Sequence, residues 1–585
     1  MSLRITFLGH AGLWLETRGG TILCDPFFNP AYFHSWYPFP SNENIDLKSI
    51  SKPDYLYISH LHADHFDRKL LAEVIDKDTT VLLPDYPIDL MEKAYRELGF
   101  NKFVKTRNGV PAQLARGLSV AIVAMVAPTD GPLGDSGLIV DDGEVRVFDQ
   151  NDSRPIDLEA LAALGPFDAH FVQFSGAIWY PFVYQYPDEM LEALGRKKRA
   201  NEMARALRYV REVDAKWVFP SAGPPCFLDD GLFAYNDFNR HPANTFPDQS
   251  VFLEYLQENE VAGGRLVVPG STVTLKGDDC DVVHPGDEEE VWRPFRHKLM
   301  YLQDYKTRHQ AEIDAAKASW PRHQVDVVGA LQEWFEPLME KADITCAGIG
   351  STVVLDLGDE GVAIDFMRRV VEPWDGVAEW GYYFRFDRGI VESCILDHTE
   401  DWVNSAFLSC RFQANRVGAF NEYVYNFFKC LSMERLQYAE GYYAEKAPIT
   451  QFWETDGYRI QRRCPHLKSD LTKFASIEDG VLTCSLHGWQ FDLETGRCLT
   501  SDDHWIYSRR LAADGSVIER PDPVVAEHGA TIRDECGACR YVPERFPKRR
   551  AKGLAGAAES VVETVETVVE KVAEVVKPPD EPVAS

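Results

Sequence analysis

Two short segments in the last quarter of the chain, Cys464-Pro465-His466 and Cys484-Ser485-Leu486-His487, constrain its folding more than any other feature. Each offers one thiolate and one imidazole, and the 17 residues from Leu467 to Thr483 separate the pairs. Such spacing asks for two loops that close over a single metal centre. Zinc is the plain alternative, but Cys2His2 zinc sites usually place two cysteines first and two histidines later, whereas both halves here are mixed. Soft thiolates suit iron–sulfur chemistry. The run HGWQFDLETG follows directly, aromatic and ending in a Thr-Gly turn.

A second constellation stands near the other end. HLHADH, from His60 to His65, follows the apolar strand YLYIS. Histidines at alternate positions can point the same way, while Asp64 and His65 turn toward an adjoining position. Four ligand-type side chains in six residues are costly to bury without a metal. The bland reading is a solvated loop. Upstream lie LGHAG with His10 and ILCDPFF with Asp25, and downstream lies FDQNDS, whose Asp152, with Asp149 as second choice, follows a strand.

The C-terminal motif resembles the Rieske ferredoxin family over roughly residues 447 to 520. The resemblance implies a [2Fe-2S] cluster with Cys464 and Cys484 on one iron and His466 and His487 on the other, a ligand set that raises the potential. HLHADH, LGHAG and ILCDPFF resemble the metallo-β-lactamase superfamily, in the branch with lactonases and phospholipase D-type hydrolases. That likeness implies a metal site of His60, His62, Asp64, His65 and Asp152, with Asp64 and Asp152 as catalytic carboxylates. Two family histidines are missing. APTDGPLGDSGL has none, and WVFPSAGPPC has Ser221 and Gly223 where the last is expected. His241 is a possible substitute, although such a histidine is more often an ordinary loop residue.

A metallo-β-lactamase-like domain joined to a Rieske domain resembles the CMP-N-acetylneuraminate hydroxylase family, with FSGAIWYPF (Phe174 to Phe182) as a further shared segment. There the Rieske part comes first; here it is last. The resemblance implies a Rieske-type iron-dependent monooxygenase. Electrons from a ferredoxin, a cytochrome b5-like protein or a flavin reductase would pass through the cluster to a mononuclear iron (zinc is the alternative). That iron would activate O2 and hydroxylate a small molecule such as an N-acyl sugar nucleotide. The rival readings are a two-metal hydrolase of lactonase or phosphodiesterase type with the cluster as redox sensor, and a non-catalytic electron carrier.

At 585 residues the chain needs about three or four domains. The expected architecture is multidomain α/β plus β. Residues 1–265 form a metallo-β-lactamase-like αββα sandwich, and 266–343 a helical connection. Residues 344–446 form an α+β unit that weakly resembles the sterol-carrier fold, WVNSAFLSCRFQANR being its most distinctive piece. Residues 447–545 form a Rieske β-sandwich, and 546–585 an acidic low-complexity tail. ITCAGIGSTVVLDLGDEGVAIDF and YYFRFDRGIVESCIL read as antiparallel strands. The net charge of −30 argues against nucleic acid and anionic membranes. Twelve scattered cysteines and the absence of a membrane-length apolar run point to a reducing, cytoplasmic setting. Weak signals read as ordinary structure: Cys536 and Cys539 as plain thiols, CAGIGSTV as a turn, Arg293, Arg296 and His297 as a solvated helix start, and Lys548 to Arg550 as linker.

Overall fold

The computed structural model describes residues 3–86, 88–125, 134–176, 178–241, 243–444, 451–465, 470–485, 488–500 and 504–523. Fourteen strands build two facing sheets. They are β1 (Leu3–Gly9), β2 (Gly12–Thr17), β3 (Gly20–Cys24), β4 (Tyr55–Tyr57), β5 (Thr80–Pro84), β6 (Lys102–Thr106), β7 (Ala112–Ala115), β8 (Leu118–Ala124), β9 (Ser136–Asp141), β10 (Arg146–Asn151), β11 (Ala169–Gln173), β12 (Trp217–Ser221), β13 (Thr272–Lys276) and β14 (Asp279–Val283). One sheet runs β14-β13-β1-β2-β3-β4-β5-β6 and the other β12-β11-β10-β9-β8-β7. Their inner faces bury Phe7, Leu13, Ile22, Val120, Leu138, Val147 and Phe171 against one another. The helix Asp188–Val213 covers the outside of the second sheet through Ala206 and Val210, which pack with Val172 and Phe174. This is the expected αββα sandwich.

The first sheet continues beyond residue 265, where the sequence suggests a boundary. β13 pairs antiparallel with β1, Ile5 opposite Val273, so the start of the expected helical connection is a hairpin of this sheet. TVTLK alternates buried and half-exposed residues, as an edge-side strand must. Helices Glu288–Arg296, Lys298–Ser319 and Val327–Met339 follow. Arg293 pairs with Asp304 and Arg296 with Glu288 on the surface, as a solvated helix would have it.

The central unit has a five-stranded sheet, β17 (Val370–Pro373), β16 (Gly361–Asp365), β15 (Thr352–Asp356), β18 (Tyr382–Phe386) and β19 (Phe412–Arg416), in that order. Two segments expected to be strand are helix. Asp343–Ile349 ends at Gly350, whose φ of 57° caps it. Arg388–Leu396 begins where the Asp387 side chain accepts from Gly389 N, an N-cap hidden among β-forming residues. The aromatic core of this unit, with Phe335, Phe384, Trp402, Phe407 and Phe428, also contains Trp36, Trp179 and Phe182 of the first domain. The two units therefore share one core, and Ala414 of β19 bonds to Val183 and Gln185 of the first domain.

The last described unit holds two three-stranded sheets, β20 (Phe452–Thr455), β21 (Tyr458–Gln461) and β25 (Ser508–Arg510), and β22 (Ala475–Glu478), β23 (Val481–Cys484) and β24 (Trp489–Asp492). Its core joins Phe148, Leu161 and Tyr209 of the first domain. Ion pairs Arg462–Glu159 (2.7 Å) and Lys473–Glu212 (2.9 Å) edge that contact. Cys536, Cys539, Lys548 to Arg550 and the acidic tail lie outside the described residues. Among the described residues no helix is long and apolar enough to cross a membrane.

Candidate metal centre

The ligand-type side chains of the first domain sit where strands end. β4 stops at Tyr57, and a turn closed by His65 N and Phe66 N on the His62 carbonyl brings His60, His62, Asp64 and His65 together. β1 delivers His10, β3 delivers Asp25, β10 leads through Asn151 to Asp152, and Asp135 immediately precedes β9. His10, Asp25, Asn151 and Ala222 have positive φ (54°, 37°, 44° and 50°). Four non-glycine residues held in the left-handed region around one corner indicate a backbone turned for a site rather than for its own comfort.

Two donor sets result. In the first, His60 Nε2 and His62 Nδ1 approach to 2.7 Å, and Asp135 Oδ1 stands 3.7 Å from His60 Nε2. In the second, His65 Nε2 lies 3.4 Å from Asp152 Oδ1 and 3.8 Å from Asp64 Oδ2, and His10 Nε2 lies 3.0 Å from Asp64 Oδ2. His60, His65 and Asp152 also group within 4.8 Å, which places Asp152 between the sets. A surrounding layer fixes the rings. Ser59 Oγ meets His60 Nδ1 at 2.8 Å, and Asp25 Oδ2 meets His65 Nδ1 at 3.1 Å, so both Nε2 atoms face inward. Tyr32 donates its hydroxyl to Asp64.

The residues fit cations. His65 Nε2 and Asp152 Oδ1 are buried and face each other at 3.4 Å, too far for a good hydrogen bond. Burial alone would lower the pKa of His65, yet Asp152, Asp25 and Asp64 around it push the pKa well above the usual value, a sign of excess buried negative charge. Imidazoles and carboxylates suit zinc, iron or manganese alike, and a two-histidine, one-carboxylate set with open positions suits iron(II).

Each expected ligand of this centre, His60, His62, Asp64, His65 and Asp152, is brought into it. Asp149 is not; it lies buried with neither carboxylate oxygen bonded, and burial and Asp25 push its pKa well up. His241 instead packs edge-on against the ring of Tyr235 and joins no donor set among the described residues. Sequence reasoning missed Asp135 and Tyr32, and it noted His10 only as upstream context and not as a donor. The signal for Asp135 was a carboxylate in LGDSGL where the family has histidine. His10 stands in the corner left by Ser221, with its carbonyl accepting from Ala222 N at 2.8 Å.

In the last unit Cys464 and Cys484 are both buried in one core. His466 and His487 lie outside the described residues. The decisive feature is a cavity of about 460 Å³ bounded by three units. His62, Asp64, Asp135 and Asp152 open onto it, as do Gly488 and Trp489, which directly follow His487, and so do Arg416 and Tyr425 of the central unit. The long helix contributes Lys198, Asn201 and Glu202 to the same wall. Burial lowers the pKa of Lys198 to about 7, with Arg154 and Arg205 acting in the same direction.

Comparison with known proteins assigns the units. Family models match residues 4–148 as a Beta-lactamase superfamily domain, 327–445 as an Rv3818-like, SCP2-like domain, and 439–504 as a Rieske [2Fe-2S] domain. The chain is 46% identical over 520 residues to a protein of Mycolicibacterium smegmatis named for a Rieske 2Fe-2S iron-sulfur centre, covering 87% of this chain and all of the relative. It is 45% identical over 516 residues to the similarly named Rv3818 of Mycobacterium tuberculosis, with the same coverage. A cytidine monophosphate-N-acetylneuraminic acid hydroxylase of Cricetulus griseus is 30% identical over 87 residues, 15% of each chain.

Proposed function

Since the chain belongs to the family of Rieske 2Fe-2S iron-sulfur proteins, with a metallo-β-lactamase-like first domain and an SCP2-like middle, we propose that it is an iron-dependent monooxygenase of a small molecule. In this reading electrons pass from the [2Fe-2S] cluster to the metal centre of the first domain, and a ferredoxin, cytochrome b5-like protein or flavin reductase of the cytoplasm supplies them. One observation carries the proposal: the residues beside a cluster ligand and the donors of the metal centre line the same cavity. Electron tunnelling and substrate binding then share one space.

Cys464, His466, Cys484 and His487 would hold the cluster, and His60, His62, Asp135, Asp152, Asp64, His65 and His10 the metal. The sequence suggests one iron, whereas the two adjoining donor sets have room for two ions. When bound, these groups supply single electrons and O2 activation. The protein's own part is to orient the donors. Ser59 and Asp25 hold the imidazoles in one tautomer. Tyr32 fixes one oxygen of Asp64 and leaves the other inward. Trp36 and Trp179 form an apolar wall of the cavity beside the donors. Lys198, whose charge burial disfavours, pairs with Glu202 at 3.0 Å on the cavity wall.

The paired donor sets also suit a two-zinc hydrolase. Asp135 replaces a neutral imidazole with an anionic oxygen and so lowers the net charge of the occupied site, and the metal content then decides between the two readings. Metal analysis of anaerobically purified protein tests this. About four irons per chain and little zinc match the oxygenase. About two irons with about two zincs would move the assignment to the hydrolase, with the cluster as redox sensor.

A further inference from the structure

Arg416, the last residue of β19, is 5% exposed and opens onto the shared cavity. It lies opposite Tyr382 in the sheet. Its guanidinium stands 5.7 Å from the ring centre of Tyr184 and 6.0 Å from those of Tyr180 and Phe420. Its guanidinium meets the Tyr382 hydroxyl, but its Nε has no hydrogen-bond partner and no carboxylate pairs with it among the described residues. Guanidinium stays charged in proteins. A buried cation faced by rings and hydroxyls rather than a carboxylate is strongly unfavourable unless an anion completes it.

The surroundings supply the rest of a binding site. Tyr184 and Tyr425 share a hydroxyl–hydroxyl hydrogen bond of 2.6 Å, and both line the cavity beside Arg416. Trp179, Phe420 and Leu408 give the wall an apolar body. Glu422, the carboxylate on this side, faces His504 at 3.6 Å. At about 460 Å³ the space suits a small organic molecule rather than a polymer.

We propose that Arg416, with the one hydroxyl proton that the Tyr184–Tyr425 pair leaves free, anchors the anionic group of the substrate, a small organic acid with an apolar or aromatic body. The anion is a carboxylate or a phosphoryl group, held by two-pronged hydrogen bonds of the kind guanidinium makes best. The body then lies along the cavity between this anchor and the metal donors. The inference deepens the oxygenase reading by naming its substrate class, and its test reads binding alone.

Calorimetric titration of the full, cluster-containing chain uses phenylacetate, phenyl phosphate and neutral phenylacetamide. At least one acid should bind saturably and the amide about tenfold or more weakly, the loss expected for one charge-assisted hydrogen bond. The tighter acid tells carboxylate from phosphoryl. Arg416→Gln should cut acid binding by about tenfold and leave the amide unchanged, while Arg416→Lys falls between. His62→Ala should retain acid binding. Equal affinity for acid and amide in the wild type, or no saturable acid binding, overturns the proposal even if the Gln variant misfolds. So does loss of acid binding in His62→Ala with retention in Arg416→Gln, since the anion would then sit on the metal. Failure of the oxygenase reading would appear separately, as a reduced cluster that O2 does not reoxidise through the metal centre.

Discussion

Asp135 shows how one residue redirects a fold. The sequence reads as a lost histidine at this point, because a family pattern registers only the missing imidazole. The structure shows a carboxylate 3.7 Å from His60 Nε2, in the place of a donor. Asp135→Ala should lower the metal bound to the His60/His62 set well below one ion per chain, while the visible absorption of the cluster is unchanged; metal analysis beside the spectrum checks both. His170 makes a separate prediction about acid. Burial lowers its pKa from 6.5 to about 3, and it pairs with Gln150 at 2.8 Å, two residues before Asp152. The folded protein keeps this ring neutral, whereas the unfolded chain takes up a proton below about 6.5. The unfolded state therefore binds more protons, and the stability contribution, whole above about 6.5, falls as the pH drops toward 3. At pH 5 the loss is about 2 kcal/mol. Melting at pH 7.5 and 5.0 should show a smaller acid-induced drop for His170→Gln than for the wild type.

At the scale of elements, the helix Asp188–Val213 joins chemistry to architecture. One side packs on the second sheet, one lines the cavity through Lys198, Asn201 and Glu202, and its end meets the Rieske unit. There Tyr209 packs 5.2 Å from Phe474 and donates to the Pro155 carbonyl at 3.1 Å. Tyr209→Ala should cost about 3 kcal/mol or more, since it empties a buried aromatic site. Lys473→Ala removes a partly exposed ion pair and should cost less than about 1 kcal/mol. Urea titrations followed by cluster absorbance separate the two. A helix buried on several sides has no single apolar stripe, so sequence periodicity gave no sign of it. Asp343–Ile349 and Arg388–Leu396 were hidden for a related reason: short helices rich in Ile, Val and Thr carry strand-like composition, and only caps such as Gly350 and Asp387 betray them. The strand-end motifs were legible because HLHADH and the two Cys-His pairs are local in sequence. Asp135, Arg416 and the donor role of His10 were not, because each acts through a partner far along the chain.

At the largest scale, the described residues of the Rieske, metallo-β-lactamase-like and SCP2-like units line one cavity, and the aromatic core that spans Trp36, Trp179 and Phe407 fuses the last two. Such an arrangement makes a kinetic prediction that neither unit makes alone. If the cluster delivers electrons through the shared cavity, a protein reduced without O2 and then mixed with O2 should reoxidise its cluster within a single turnover. The route requires the donors of the first domain. His62→Ala lies outside the cluster, so its oxidised spectrum should match the wild type. Its reoxidation should nevertheless slow by about tenfold or more, because only direct reaction of O2 with the cluster remains. Stopped-flow absorbance measures both rates. Equal rates in the two proteins would mean that the cluster and the metal centre share a wall without sharing electrons. The cavity would then belong to a hydrolase whose Rieske unit senses redox state from beside it.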